Sequence, residues 1–278
     1  MDIYVDQLAA LAHPQRLALF RLLMRRYPQA VAAGELAQAL DVRQNTLSAY
    51  LACLRQAGLI AQSRAGRSLL YRIEMAQAEA LLAYLFDDCC RGRVAVCAQP
   101  QSDMPAQEHS MGDTPFHILF ICTGNSARSI FAEAILNKLG QGRFVAHSAG
   151  TAPYSQLNPL AVQMLQDKGH DIAPLFSKNI SHFQTSDAPK MDFVFTVCDL
   201  AANEDCPAWP GQPITAHWGV PDPVKATGTQ AQRMLEFQAA YGALYNRIAA
   251  FVALPIETLG RASLQAHLDA IAKEHPAQ

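Results

Sequence analysis

Hydrophobic and polar positions change their period near residue 115. Before it, apolar residues mostly recur at helical spacing. Residues 2–26 carry Leu8, Leu11, Leu19, Leu22 and Leu23 on apolar positions, with a break at His13-Pro14, where proline removes a backbone donor. Ala33–Leu40 and Gln44–Gln56 read as two short helices across a tight turn at Asp41-Val42, the second ended by Gly58. Leu47, Leu51 and Leu54 give the second helix a core face. Leu59–Ile73 alternates in two apolar runs around Arg64-Ala65-Gly66-Arg67, which predicts a β-hairpin. Met75–Cys90 returns to a helical stripe of Leu81, Leu82, Leu85 and Phe86.

Residues 98–114, AQPQSDMPAQEHSMGDT, are polar, hold two prolines and show no apolar period, so they read as a linker. From 116 onward short apolar runs alternate with helical stretches: Phe116–Ile121, 129–139, Phe144–Ser148, 158–168, Phe193–Val197 and about 229–252. That alternation predicts an α/β unit with a parallel sheet flanked by helices, binding its ligand at the carboxyl ends of the strands. The expected organisation is therefore two domains, residues 1–97 and 115–278, mainly helical and then α/β.

At 278 residues, with 50% apolar and 17% charged residues, the chain is an ordinary globular protein long enough for two cores. The start MDIYVDQLAA lacks a basic segment and a long apolar run, which predicts a cytoplasmic protein without a membrane anchor. Seven cysteines in a reducing compartment point to catalysis, metal binding or redox chemistry rather than structural disulfides. Charge is uneven: residues 1–97 hold 11 Arg, no Lys and 8 acidic residues, leaving 11 basic and 16 acidic residues for the remainder.

The two short helices read as a helix-turn-helix, the second as its recognition helix and the hairpin as a wing. Gln44, Asn45, Thr46, Ser48 and Tyr50 are its candidate base and phosphate contacts, with Arg64 and Arg67 at the wing tip. In this order the elements, with LAHPQRLALFRLL and the hairpin end LLYRI, resemble the winged-helix repressors of the ArsR family over about residues 1–97. The last helix would suit pairing with a second subunit, giving a homodimer on operator DNA.

That helix ends in Cys89-Cys90, with Cys97 close behind. On a continued helix Cys90 and Cys97 would lie about 10.5 Å apart along the axis. Gly92 allows the chain to turn back, so the three sulfurs can converge within one subunit or across a dimer. Three soft thiolates suit trivalent arsenic better than zinc. Some family members that sense arsenite or antimonite carry similar cysteines here, which makes arsenite the expected effector. Cys53 matches no ligand pattern and reads as packing.

The stretch FHILFICTGNSARS, Phe116–Ser129, reads as strand, loop and helix. A loop at a helix N-terminus offers free N–H groups to a tetrahedral oxyanion and is expected to lower the pKa of Cys122 within it. Arg128 can close on the anion with a bidentate fork, Ser129 can donate to the Cys122 thiolate, and Gly124 and Asn125 suit unusual backbone angles. CTGNSARS resembles the phosphate-binding loop of the low-molecular-weight protein tyrosine phosphatases and of the arsenate reductases sharing their fold. The resemblance makes Thr123, Gly124, Asn125, Ser126, Ala127, Arg128 and Ser129 the oxyanion-binding residues, and Asp222 of Val220-Pro221-Asp222-Pro223 the general acid. Val224 stands where those phosphatases carry an aromatic residue.

Cys198 and Cys206 in FVFTVCDLAANEDCP have no use in a phosphatase. A reductase must deliver two electrons, and thiols do so by forming a disulfide. The segment through AHWGVPDP resembles the thioredoxin-coupled arsenate reductases over about residues 116–255, although seven residues separate the two cysteines. The resemblance implies a relay: Cys122 attacks arsenate, Cys198 attacks Cys122 and arsenite leaves, then Cys206 draws the disulfide outward. The expectation is an arsenite-responsive repressor fused to an arsenate reductase. It would need no tightly bound cofactor and would draw electrons from thioredoxin, or from glutaredoxin with glutathione. The competing readings are a tyrosine phosphatase with a DNA-binding appendage and a silent oxyanion sensor.

Overall fold

A computed structural model describes residues 3–89, 114–185, 187–204, 209 and 211–274. The chain divides into two compact units, Met1–Ser110 and Met111–Gln278. Among the described residues no helix is long and apolar enough to cross a membrane.

In the first unit, α1 (Ile3–Leu11) and α2 (Pro14–Arg26) meet at the expected break, where the His13 side chain accepts from the Gln15 amide. α3 (Ala33–Ala39) and α4 (Gln44–Gln56) follow, with Asp41 at φ 50° in their turn. The hairpin is β2 (Ile60–Ala65) and β3 (Ser68–Ile73). Ala65 pairs with Ser68, so Gly66-Arg67 forms a two-residue loop, and Gly66 takes the positive φ (59°) that such a loop needs to match strand twist. A further strand, β1 (Val31–Ala32), pairs with β3 to give the order β1-β3-β2. Two residues are too few to show a period, so nothing in the pattern announces it. Leu19, Leu22, Leu23, Leu36, Leu47, Leu51, Leu54 and Leu81 close the core. The last helix departs from the expected Met75–Cys90: α5 (Met75–Tyr84) gives way to a π-turn over Leu85–Cys89. Its stripe also divides, Leu81 being buried and Leu82 67% exposed.

The second unit is a four-stranded, wholly parallel sheet in the order β5-β4-β6-β7. Its strands are β4 (Phe116–Cys122), β5 (Phe144–Gly150), β6 (Phe193–Thr196) and β7 (Ile214–His217). The helices are α6 (Arg128–Leu139), α7 (Pro159–Asp167), α8 (Asp199–Asn203), α9 (Gln230–Val252) and α10 (Arg261–Glu274). Ile118 to Cys122 are all buried, so β4 is covered on both faces, as a central parallel strand requires. Around it Phe195 stacks on Trp218 (4.3 Å) and meets Phe251 edge-on. β7, α8 and α10 are additions to the expected elements: β7 and α8 are too short to show a period, whereas Leu264, Leu268 and Ile271 of α10 do mark a buried helical face.

Candidate active site and nucleic-acid interface

β5 lies on one side of β4 and β6 on the other. The chain reverses its winding at β4, and such a point opens a crevice at the carboxyl ends of the strands. Cys122 ends β4, Cys198 follows β6 and Asp222 follows β7, so the sheet gathers three expected site residues at one end.

The loop between Cys122 and α6 is turned inside out by its neighbour. The carbonyls of Cys122, Thr123, Gly124 and Ser126 accept from the amides of Thr151, Ala152, Tyr154 and Asn158 at 3.0–3.1 Å. In a trans peptide the N–H points opposite to the carbonyl, so the loop amides face inward. The Asn125 amide donates to the Cys122 sulfur (3.1 Å) in this way. Asn125 alone carries the unusual backbone angle expected of the Gly124-Asn125 pair, at φ 41°. Gly124 serves closeness instead, since a Cβ there would lie 2.5 Å from the Tyr154 ring.

Asn125 is also the hub beneath the loop. Its Nδ2 donates to Ser129 Oγ and Ser148 Oγ, both 2.8 Å, and its Oδ1 accepts from the Lys178 amide (2.6 Å). Ser148 Oγ in turn donates to Glu133 Oε2 (2.5 Å), which pairs with Lys178 Nζ (3.4 Å). Burial pushes the Glu133 carboxyl upward, against the Lys178 ammonium and the Ser148 hydroxyl, which pull it down. Sequence reasoning misses Ser148, Glu133 and Lys178 because they lie apart from the motif and meet only in the fold.

Ser129 Oγ lies 2.9 Å from Cys122 Sγ. The Cys122 thiol nevertheless sits above its ordinary value, contrary to the expected lowering. Burial is the larger cause and the neighbouring Cys198 sulfur the next, and together they outweigh Ser129 and Arg128. A sulfur at the end of a covered central strand loses more from leaving water than two donors return.

Arg128 Nη2 pairs with Asp222 Oδ2 (2.9 Å) and its Nη1 donates to the Val220 carbonyl (3.2 Å). Asp222 Oδ1 accepts from the Val224 amide (3.2 Å), holding the turn Pro223–Lys225. Cys198 is buried and caps α8, accepting from the Ala201 amide (3.4 Å), and its sulfur lies 3.4 Å from Thr123 Oγ1. The second thiol thus reaches the loop that follows Cys122. Cys206 lies outside the described residues. Inward amides, a cysteine sulfur, a guanidinium and a carboxylate can together bind a tetrahedral oxyanion, attack it and protonate the oxygen it loses.

In the first unit Gln44, Asn45, Thr46 and Ser48 lie exposed on α4, and Arg64 and Arg67 are exposed on the wing. Arg64 Nε folds back to donate to the Gly66 carbonyl (3.1 Å). Tyr50 departs from the expected exposed face: it is half-buried, with its ring 5.1 Å from that of His13. Arg55 donates to Gln62 Oε1 (2.8 Å) and ties α4 to the wing, a contact the sequence does not suggest. Cys53 is partly buried against the core, and Cys89 is exposed at the end of the π-turn. Cys90 and Cys97 lie outside the described residues, and among the described residues no cluster of three His, Cys, Asp or Glu could hold a metal ion.

The profile of the family described as "Low molecular weight phosphotyrosine protein phosphatase" matches residues 117–262, and that of a "Helix-turn-helix domain" matches residues 11–63. A protein named arsenate reductase from Shouchella clausii is 37% identical over 134 residues, spanning 48% of this chain and 93% of that protein. The arsenate reductase of Bacillus subtilis is 35% identical over the same length and shares. A solved structure titled "An arsenate reductase in the phosphate binding state" is 27% identical, covers 50% of this chain and 97% of that one, and superposes with a TM-score of 0.42.

Proposed function

Since the chain belongs to the low-molecular-weight phosphotyrosine protein phosphatase family and carries a helix-turn-helix domain ahead of that unit, we infer that it is an arsenate reductase joined to an arsenite-responsive DNA-binding repressor. The observation that carries the reductase over a phosphatase is Cys198, whose sulfur stands 3.4 Å from Thr123 Oγ1 in the oxyanion loop. Hydrolysis of a phosphate ester needs no second thiol there. Reduction does.

In the first step the Cys122 sulfur attacks arsenate held by the inward amides and Arg128. One thiol and hydrogen arsenate dianion give the thioester of arsenate on Cys122 and one water: Asp222 delivers its proton to the departing oxygen and the thiol proton replaces it. In the second step the Cys198 sulfur attacks Cys122 Sγ. The sulfur–arsenic bond breaks with its electron pair going to arsenic, which becomes trivalent, and arsenite leaves with the Cys198 proton. The two sulfurs, oxidised by two electrons, form a disulfide. Cys206 then attacks Cys198, the Cys122–Cys198 bond breaks and Cys122 leaves as the thiol with the Cys206 proton; thioredoxin, or glutaredoxin with glutathione, reduces the Cys198–Cys206 bond.

In the repressor half Gln44, Asn45, Thr46 and Ser48 read the major groove while Arg64 and Arg67 hold phosphates. Exposed Leu82 suits a homodimer contact, and arsenite on Cys89, Cys90 and Cys97 releases the operator.

The test is NADPH oxidation by the full chain with arsenate, thioredoxin and thioredoxin reductase, or glutaredoxin, glutathione and glutathione reductase, in wild type and Cys122→Ser. Arsenate-dependent oxidation that disappears in Cys122→Ser is the expected result. Silence with both reductants beside brisk p-nitrophenyl phosphate hydrolysis would make the protein a phosphatase. For the repressor, operator binding that arsenite abolishes in wild type but not in Cys89→Ser with Cys90→Ser is expected.

A further inference from the structure

The segment that carries Cys198 is tied to the sheet by a buried histidine that the relay does not otherwise use. His217, the last residue of β7, is 1% exposed. Its Nδ1 lies 2.8 Å from Oγ1 of Thr196, its register partner at the end of β6. Its Nε2 lies 3.1 Å from Oδ1 of Asp199, the first residue of α8 and the one directly after Cys198. The chain then folds over the pair: a Cβ on Gly219 would stand 2.6 Å from Asp199 Oδ1 and 2.7 Å from His217 Nε2. The loop that goes on to carry Asp222 therefore packs against the residue next to the second thiol.

We propose that His217 and Asp199 form a latch that positions Cys198 for its attack on Cys122, a role that rests on the relay described above. Asp199 and His217 act through the segment that carries Cys198, so they are positioning residues. The physical need is geometric. Attack at sulfur requires the incoming sulfur in line with the breaking sulfur–arsenic bond, and the Ala201 amide and Thr123 hydroxyl that meet the Cys198 sulfur do so at 3.4 Å, on a helix of only five residues. Thr196, His217 and Asp199 transmit the rigidity of two paired strands to the residue beside it. The bond made and broken is that of the second step only: sulfur–sulfur forms, sulfur–arsenic breaks, and arsenic takes the electron pair. The hold on the oxyanion, which comes from the Cys122 loop and Arg128, makes no use of the latch, so binding and disulfide formation can be read separately.

The experiment uses the full chain carrying Cys206→Ser, so that the relay stops at its first disulfide. Asp199→Ala and Asp199→Asn are added separately, because Asp199 is half-exposed and its loss spares the core. Formation of the Cys122–Cys198 disulfide after mixing with arsenate is followed by rapid quench, alkylation and peptide mass spectrometry. The phosphate concentration that half-protects Cys122 from iodoacetamide reports the oxyanion loop. In Asp199→Ala the disulfide is expected to form roughly tenfold more slowly with phosphate protection unchanged, and Asp199→Asn, which keeps a hydrogen bond to His217, restores most of the rate. Wild-type disulfide formation in Asp199→Ala would overturn the latch, and so would a loss of phosphate protection in proportion to the loss of rate. No Cys122–Cys198 disulfide in the Cys206→Ser parent would instead overturn the relay, and the latch with it.

Discussion

Asn125 concentrates enough of the site in one side chain for its contribution to be worked out. Replacing it by alanine removes three buried hydrogen bonds, two from Nδ2 and one to Oδ1. At about 1 kcal/mol net for each, the loss is about 3 kcal/mol. Alanine must also adopt the φ of 41° that asparagine tolerates, which adds roughly 1 kcal/mol. Glycine loses the same bonds but accepts that angle, so Asn125→Gly should be the more stable of the two by about 1 kcal/mol. Both tryptophans, Trp209 and Trp218, lie in the second unit, and Trp218 is fully buried, so urea unfolding followed by tryptophan fluorescence reports this unit. The expected order is wild type, then Gly, then Ala. Finding Ala at least as stable as Gly would refute the backbone argument, and finding both within about 1 kcal/mol of wild type would refute the hub.

The buried Glu133–Lys178 pair gives a second prediction. Lys178→Met should destabilise the second unit by about 3–5 kcal/mol by leaving a buried carboxylate unpaired, and adding Glu133→Gln should recover most of it; urea midpoints of the three proteins check this. For Cys122, Ser129→Ala removes a donor that lowers the thiol, so a value already raised by burial should rise further and alkylation of Cys122 at fixed pH should slow. An unchanged pH profile of alkylation, read by peptide mass spectrometry, would contradict it. His147, held down to about 4 by burial, then by His117, Lys178 and His182, stays neutral in the fold while the unfolded chain titrates near its ordinary value of 6.5. Its contribution to stability is complete above pH 6.5 and is lost as pH falls from there toward 4, because the unfolded state binds the proton first. His147→Gln should flatten the fall in urea midpoint across that window. On the wing, Arg64→Ala with Arg67→Ala should weaken operator binding and reduce the slope of log affinity against log salt by about 2, as two lost phosphate contacts require.

Much of the fold and of the site is legible in the amino-acid sequence. Gln44–Gln56 has the observed bounds of α4 because Leu47, Leu51 and Leu54 keep helical spacing up to Gly58, and β4 shows itself as an apolar run broken by a loop. As candidates, Cys122, Arg128, Cys198 and Asp222 are legible because each belongs to a short local motif. The support is not. Ser148, Glu133 and Lys178 come from β5, from α6 and from the segment after α7, and each alone is an ordinary polar residue. Their meeting depends on a strand order, β5 beside β4, that no local pattern encodes. The expected low pKa of Cys122 fails for a related reason. Helix N-termini and donors can be read from a motif, whereas the depth of a strand end in the core cannot.

The loop itself does not choose between phosphate and arsenate, since inward amides and one guanidinium suit any tetrahedral dianion of that size. The choice lies in what happens to the covalent intermediate. With phosphorus on Cys122, attack by Cys198 on the sulfur would have to expel a phosphite, and phosphorus(V) is a poor two-electron oxidant; water must remove the phosphoryl group instead. With arsenic on Cys122, the same attack expels arsenite readily, because arsenic(V) accepts the electron pair. In the proposed relay, a second sulfur held 3.4 Å from Thr123 would divert the arsenate intermediate while leaving a phosphate intermediate untouched. On this argument Cys198→Ser should abolish arsenate reduction and leave phosphate binding intact. Loss of phosphate protection of Cys122 in that variant would show that Cys198 helps to build the oxyanion site rather than to empty it.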